Sequence, residues 1–144
     1  MENKTGCCDG TVSSLISVVI VDDHPLFREA VSRLLVECRE FEIVGEAGDG
    51  ESAIALAARL RPRVVILDIT LPGVNGIDAT RQIKEQSPET AVVVLSVHDD
   101  AEHASAALAA GASAYLTKDV ARGEIVRALC EVVGGKVFVC QSAL

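Results

Sequence analysis

The stretch "VVIVDDHPLFR", residues 18–28, decides the fold. Its first four residues are apolar and β-branched, and such a run is typical of a strand that is buried on both faces. Pro25 predicts that a helix begins there, because its missing N–H leaves no helical hydrogen bond unmade in the first turn. Asp22 and Asp23 lie between the two elements, where neighbouring carboxylates repel each other unless a positive charge compensates them. A strand that leads into a helix through an acidic turn is therefore the first unit of the predicted fold.

The same unit recurs along the chain. Apolar runs, most of them rich in Val and Ile, predict five strands at residues 16–22, 41–47, 63–68, 91–96 and 112–117. Helical patterns follow them. The first is an apolar stripe of Leu26, Ala30, Leu34 and Cys38, with Val31 and Leu35 beside them. The others are marked by Ile54, Ala57 and Ala58, by Ile77, Thr80, Ile83 and Lys84, by the alanine-rich residues 100–111, and by Ile125, Val126, Leu129, Val132 and Val133. This alternation predicts a parallel sheet covered by helices on both faces, with right-handed crossovers.

Size and composition limit the classes of protein to consider. The chain has 144 residues, of which 49% are hydrophobic, and this predicts one domain with one core. Its formal net charge of -8 argues against direct binding to nucleic acid, which needs clustered Lys and Arg. No apolar run reaches the ~18 residues of a membrane span and no secretory signal is visible, so we expect a cytoplasmic location. The five cysteines fit no zinc-binding spacing, and we expect Cys38 and Cys130 to be buried thiols and Cys7 and Cys8 to be exposed.

Polar residues stand where the predicted strands end. Asp22 and Asp23 end the first strand, Asp68 the third and Ser96 the fourth, while Lys118 follows the fifth. In a parallel sheet these carboxyl ends lie at one edge, where function collects. Three carboxylates there would raise one another's pKa unless a cation neutralised them; Mg²⁺, which prefers oxygen ligands, fits best, with Mn²⁺ as the alternative. Lys118 adds a compact positive charge able to pair with Asp68 or with a phosphoryl oxygen.

Each of these residues also has an ordinary structural explanation. Asp23 alone would serve as a helix N-cap, or the two acids would form a solvated pair. Asp68 would cap the turn after its strand, Ser96 would be a structural hydroxyl, and Lys118 would lie on the surface. The turn after Asp68, "LPGVNG", is instead shaped by proline and glycine so that it can present the carbonyl of Thr70 to a metal. Because one carboxylate suffices for a cap, a metal site explains the adjacent acids better.

Four segments make the chain resemble the receiver domain of two-component response regulators, in particular the NarL/FixJ type. They are "VDDHPLFR", "LDITLPGVNGID", "LSVHDD" and "GASAYLTKD", in this order. The resemblance covers about residues 16–135 and implies the flavodoxin-like (βα)5 fold, with a five-stranded parallel sheet in the order 2-1-3-4-5 and helices on both faces. It divides the chain into a flexible leader at 1–14, a receiver domain at 15–135, and at 136–144 the start of a linker to a C-terminal effector domain that the sequence does not contain.

The resemblance also implies a role for each acid at the predicted edge. Asp68 corresponds to the phosphoacceptor. Asp23 and Asp68, with the backbone carbonyl of Thr70, would bind Mg²⁺ or Mn²⁺, and Asp22 would reach the metal mainly through water. Lys118 corresponds to the site lysine that helps to neutralise the phosphoryl group.

Two further residues are implied to transmit the signal. Ser96 stands where receivers carry the Ser or Thr that bonds the phosphoryl group. Tyr115 stands at the aromatic switch position, although a lone aromatic residue in a strand is usually part of the core. Movement of Ser96 would let Tyr115 turn inward and change the surface formed by the fourth helix, the fifth strand and the fifth helix.

The partners follow from the same resemblance. A sensor histidine kinase would supply the phosphoryl group, and the phosphorylated chain would form a homodimer. DNA would be contacted only through the missing C-terminal domain, of the LuxR helix-turn-helix type, and no membrane would be involved. The chain would then be a phospho-accepting switch that controls transcription rather than an enzyme, although it would assist its own phosphorylation and dephosphorylation.

Two positions depart from the common pattern, and other functions compete. Val97 stands where many receivers carry Ala or Gly, so we expect slow labelling by acetyl phosphate; Asp119 replaces a common Pro, as is usual in the NarL-like group.

A haloacid-dehalogenase-like phosphatase would need an aspartate in place of Thr70, and a nucleotide- or flavin-binding domain would need a glycine-rich loop in place of "DDHP". A receiver that acts only as an interaction platform is disfavoured by the intact acids, Ser96 and Lys118.

Overall fold

The computed structural model describes residues 15–97 and 101–140, in which strands and helices alternate. The elements are β1 (Ile16–Val21), α1 (Pro25–Cys38), β2 (Phe41–Ala47), α2 (Gly50–Leu60), β3 (Val64–Asp68), α3 (Gly76–Gln86), β4 (Ala91–Ser96), α4 (Ala101–Ala109), β5 (Ala114–Thr117), α5 (Lys118–Val133) and β6 (Phe138–Cys140). The predicted leader at 1–14, the last four residues of the predicted linker and the predicted start of the fourth helix at Asp100 lie outside the described residues.

The sheet is parallel throughout, and its strand order is β2-β1-β3-β4-β5-β6. The order 2-1-3-4-5 of the flavodoxin-like fold is therefore confirmed. A sixth strand, which the sequence analysis did not predict, adds to the β5 edge from within the segment assigned to a linker. Its pairing places Phe138 opposite Ala114 and Val139 opposite Tyr115. The division of the chain into leader, receiver and linker remains a prediction.

Two apolar layers hold the sheet between the helices. Alternate residues of β1 point to opposite faces, so that Val18 and Ile20 pack with α1 and α5, while Val19 and Val21 pack with α2, α3 and α4. These side chains are buried on whichever face they occupy, as the continuous apolar runs predicted. Each such burial stabilises the fold by roughly 1.5–3 kcal/mol. The rigid sheet therefore fixes the positions of the residues that follow its strands.

The start of α1 leaves both acids of the first turn available. The N-cap of this helix is His24, without a capping hydrogen bond from its side chain, and Pro25 occupies the first helical position. In contrast, the Asp49 side chain caps α2 by accepting a hydrogen bond from Ser52 N at 2.7 Å. Asp23 is thus not the N-cap of α1, and the capping explanation for this acid does not describe the structure.

A close approach brings the start of α3 against the end of β3. Gly76 N donates to the carbonyl oxygen of Ile69 at 2.9 Å. A Cβ at Gly76 would lie 2.4 Å from the carbonyl oxygen of Asp68 and 2.5 Å from Ile69 Cα. Only glycine fits there without a shift of the backbone, so this residue sets how tightly the loop after Asp68 folds back.

The remaining predictions on composition concern thiols and membranes. Cys38 and Cys130 are partly buried and pack against the layer that contains α1 and α5. Cys7 and Cys8 lie outside the described residues. Within the described ranges, every helix is too short or too polar to cross a bilayer.

Candidate functional site

The ends of β1, β3 and β5 bring two acids and a lysine into direct contact. Asp22 directly follows β1, Asp68 is the last residue of β3, and Lys118 is the first residue of α5. Lys118 Nζ lies 2.8 Å from Asp22 Oδ2 and 3.0 Å from Asp68 Oδ2. Lys118 is therefore not a solvated surface residue but the cation between two carboxylates that are 46 positions apart in the chain.

The second acid of the pair and the following histidine complete the cluster. His24 N donates to Asp22 Oδ1 at 2.8 Å. The ring Nδ1 of His24 lies 3.0 Å from the same oxygen and 3.1 Å from Asp23 Oδ1. One potential ligand atom from each of Asp22, Asp23, His24 and Asp68 lies within 4.8 Å of the others. His24 was not among the residues predicted from the sequence, although its place directly after two predicted metal-binding acids was a signal for it.

Burial makes this concentration of negative charge costly without a cation. The exposed fraction is only 1% for Asp22 and 3% for Asp68. Asp22 Oδ2 is close to Lys118 Nζ but receives no hydrogen bond of acceptable geometry. Lys118 thus contacts two of the three carboxylates in the cluster, and one of these two carries a buried oxygen without a hydrogen bond. This donor set of carboxylate oxygens fits a hard divalent cation such as Mg²⁺.

The pKa values of the central pair reflect the same balance. Burial raises the pKa of Asp68 above its ordinary value, against the opposing effects of the Thr70 N–H and of Lys118. Burial by itself lowers the pKa of Lys118, but its contacts with Asp22 and Asp68 raise that pKa overall. Lys118 is therefore charged at neutral pH, while Asp68 lacks positive charge that a bound cation would supply.

Comparisons with known proteins identify the family. Residues 18–130 match the response regulator receiver domain. The chain belongs to this family. Among curated relatives it is 41% identical over 124 residues to the transcriptional regulatory protein DegU of Brevibacillus brevis, covering 86% of this chain and 52% of that protein. It is 33% identical over 126 residues to the nitrate/nitrite response regulator protein NarL of Escherichia coli strain K12, covering 88% of this chain and 58% of that protein.

A solved structure places the receiver in the same subfamily. A LuxR-family two-component response regulator from Aurantimonas sp. SI85-9A1 matches with a TM-score of 0.84 and 33% identity, over 90% of this chain and 92% of that chain. The resemblance to NarL-type receivers is thus confirmed by sequence and by fold. The chain spans just over half the length of the curated relatives that it matches.

The turn after Asp68 orients the carboxylate of the receiver. Thr70 N donates to Asp68 Oδ1 at 3.0 Å, which is the turn-capping contact considered from the sequence. The other oxygen of the same carboxylate faces Lys118. Asp68 therefore caps the turn through Oδ1 and contacts Lys118 of the site through Oδ2. The backbone carbonyl of Thr70 as a metal ligand stays a prediction.

Two neighbouring residues of the first quoted motif, Phe27 and Arg28, contact residues of the receiver site. The Arg28 guanidinium donates to the backbone carbonyl oxygen of Asp22, and its Nε donates to Glu46 Oε1 at 3.2 Å. Lys118 Nζ lies 4.6 Å from the centre of the Phe27 ring, within the range of a cation–π interaction. These contacts hold the acidic turn and Lys118 in position. No pattern in the sequence predicted them.

The predicted switch residues, Ser96 and Tyr115, lie on β4 and β5, outside the cluster of acids. Ser96, the last residue of β4, is fully buried and stands opposite Thr117 in the pairing of β4 with β5. Tyr115 is fully buried in the layer that contains Ala104 and Ala107 of α4. The ring is thus already inside the protein, so the inward turn expected from the resemblance has no outward starting point in this structure. Val97, next to Ser96, is 70% exposed.

Proposed function

We propose that Asp68 accepts a phosphoryl group from the phosphohistidine of a sensor histidine kinase, with Mg²⁺, or Mn²⁺ in its place, as the required cation. The observation that carries this proposal is the contact of Asp68 with Lys118 inside a cluster that also contains Asp22 and Asp23. Lysine and a divalent cation together neutralise the charge that develops on a transferred phosphoryl group. Asp22, Asp23 and Asp68 are the side chains that would hold the ion.

The reaction places few demands on the protein beyond position and charge. A carboxylate oxygen of Asp68 attacks phosphorus, the P–N bond to the donor histidine breaks, and its electron pair leaves with the imidazole. Lys118, 15% exposed, is positioned to stabilise the phosphoryl oxygens because it already contacts Asp68. The metal, when bound, supplies the rest of the neutralisation. Thr70 N and Lys118 each bind one oxygen of the carboxylate and so orient it before the donor arrives.

Phosphorylation would then change the neighbouring surface. The new acyl phosphate carries about -1.5 to -2 charges. Ser96 would move to bond its oxygens, and Tyr115 would respond because both residues lie at the β4–β5 boundary. The buried side chains of α4 are alanines, which anchor this helix with little apolar area. We therefore propose that α4, β5 and α5 form the output surface.

The proposal extends to a longer protein that would contain this receiver, as the curated relatives do. DegU is named as a transcriptional regulatory protein, and this chain covers only about half of it. We infer that the receiver controls transcription through a LuxR-type helix-turn-helix domain, which would make the contact with DNA, and that phosphorylation promotes a homodimer. It would act in the cytoplasm as a switch that turns over its own phosphoryl group rather than as an enzyme with a separate substrate.

A labelling experiment tests the acceptor. The chain is incubated with a phosphohistidine donor and Mg²⁺, and the wild type is compared with Asp68→Asn. Asp78→Asn, an exposed acid on α3, is the matched control. We expect label in the wild type and in the control and none in Asp68→Asn, whereas label that survives in Asp68→Asn would move the acceptor elsewhere. In a separate titration, Asp23→Ala should weaken Mg²⁺ binding.

A further inference from the structure

The imidazole of His24 occupies a specific place beside the acids. Asp22 divides its two oxygens between a lysine and a histidine, because Oδ2 faces Lys118 and Oδ1 faces His24. The His24 side chain is 68% exposed, but its Nδ1 atom points inward to within about 3 Å of an oxygen of each adjacent acid. Among the residues that the structure describes, this is the one cluster of acids, cysteines and histidines with ligand spacing.

The spacing agrees with a metal coordination shell. In an octahedral shell with metal–ligand distances of about 2.1 Å, neighbouring ligands are about 3.0 Å apart. The distances from His24 Nδ1 to Asp22 Oδ1 and to Asp23 Oδ1 are 3.0 and 3.1 Å. Both nitrogen–oxygen distances therefore match the spacing of neighbouring ligands in such a shell. Hydrogen bonding would give similar distances, so the chemistry of the donor atom has to separate the two explanations.

Nitrogen and oxygen donors differ in the ions that they favour. Carboxylate oxygens suit Mg²⁺ and Mn²⁺, whereas an imidazole nitrogen favours later first-row ions such as Ni²⁺, Cu²⁺ and Zn²⁺. Nδ1 offers its lone pair in the neutral tautomer that carries the proton on Nε2, and the exposed ring leaves Nε2 free to face water. The site thus contains one donor that an all-oxygen magnesium site would not have.

We propose that His24 is a metal ligand of this receiver and shifts its selectivity toward Ni²⁺ and Co²⁺ relative to Mg²⁺. This inference rests on the metal site of the proposed function. A later first-row ion binds any such site more tightly than Mg²⁺, so selectivity in the wild type alone is not diagnostic. The diagnostic quantity is the change in relative affinity when only the imidazole is replaced.

The test titrates the whole chain with Mg²⁺, Ni²⁺ and Co²⁺ by isothermal calorimetry. His24→Asn keeps an N–H that can bond the carboxylates but removes the imidazole, and His24→Leu removes both. His103→Asn, on α4, is the matched control. All proteins carry Cys7→Ser and Cys8→Ser, because adjacent thiols would bind the same ions. Limited proteolysis with trypsin and circular-dichroism spectra establish that each variant is folded.

The proposal expects an ion-specific loss. In His24→Asn, affinity for Ni²⁺ and Co²⁺ should fall about tenfold or more, the scale on which altered metal shells act, while affinity for Mg²⁺ stays within about twofold. The visible absorption of bound Co²⁺ should change in the same variant, and His103→Asn should match the wild type. An equal loss for Mg²⁺ and Ni²⁺ would make His24 a residue that only positions the acids, and no loss for either ion would also overturn the proposal.

The outcome is distinguishable from a failure of the proposed function. If His24 is no ligand but the function is right, Mg²⁺-dependent labelling of Asp68 persists in the wild type while the relative affinities do not depend on His24. If the wild type binds none of the three ions and Asp68 takes no label, the metal site itself is wrong and both proposals fall.

Discussion

Replacement of Lys118 by methionine should expose how much of the fold depends on one charge. Lys118→Met keeps an apolar chain of similar length but leaves Asp22 and Asp68 without their shared cation. At 2.8 and 3.0 Å, each attraction amounts to about 6 kcal/mol at an effective dielectric constant of about 20, before desolvation is subtracted. Removal of one partner of a buried pair typically costs about 3–5 kcal/mol in net terms. We expect the free energy of unfolding of the metal-free variant to fall by about 3 kcal/mol.

The same substitution should strengthen metal binding. The ammonium of Lys118 repels a divalent ion held by the same acids, by at least about 1–2 kcal/mol even in a watery dielectric. Mg²⁺ should therefore bind about tenfold more tightly to Lys118→Met, although phosphoryl transfer becomes slower. Because ligand binding stabilises the folded state, saturating Mg²⁺ should return much of the lost stability. The charge of Lys118 thus costs metal affinity while it stabilises the empty site.

Urea unfolding followed by circular dichroism, with and without Mg²⁺, measures both effects. Lys136→Met is the matched control, because its ion pair with Glu131 spans 3.7 Å on the surface and should matter by less than ~1 kcal/mol. The pKa of Lys118 is raised in the folded state, so its contribution is complete below its unfolded pKa of about 10.4 and is lost only as the pH rises through the folded value. A measurement at pH 7 therefore captures it in full. Equal destabilisation of the two variants without metal, or weaker Mg²⁺ binding by Lys118→Met, would refute the reasoning.

Three further predictions address the loops and a helix start. Gly76→Ala places a Cβ against the backbone of Asp68, so it should cost about 1–3 kcal/mol in urea unfolding and slow the labelling of Asp68, whereas Gly123→Ala, in open space on α5, should be neutral or stabilising by up to about 1 kcal/mol. Val97→Ala should label faster with acetyl phosphate than the wild type, because the exposed valine beside Ser96 narrows access for a small donor; equal rates would remove this idea. Asp49→Ala, which removes the side-chain cap of α2, should lower the free energy of unfolding by about 1 kcal/mol, and a loss below ~0.3 kcal/mol would show that water replaces the cap.

The sequence was most informative where burial and chemistry reinforced each other. Every strand from β1 to β4 begins and ends within one residue of its predicted bounds. For β1, β3 and β4 this follows because a strand that is buried on both faces is apolar at nearly all its positions. Asp22, Asp68 and Lys118 could be placed together from strand ends alone, since parallel strands end at one edge. The strand order, in contrast, came from the resemblance to receivers, because periodicity carries no information about which strands are neighbours.

Other features depend on contacts between distant residues. Arg28 reaches Glu46 on β2 and the carbonyl of Asp22, and no local pattern distinguishes this arginine from an exposed one. β6 is only three residues long and forms because the β5 edge is available to pair with it. The position of Tyr115 was expected from the family but not its burial, because packing around α4, and not residue type, decides whether the ring is buried.

The strand β6 has a mechanical consequence. It is tied to its neighbours by the hydrogen bond from Phe138 N to Ser113 O at 2.9 Å and by the contact of the Arg127 guanidinium with the Phe138 ring at 5.6 Å. A displacement of β5 or α5 would therefore be transmitted to Phe138 through these two contacts. In a longer protein, the polypeptide that continues past this strand would be attached to the sheet beside Tyr115. A change in the position of β5 or α5 would then move the start of that polypeptide through the main chain.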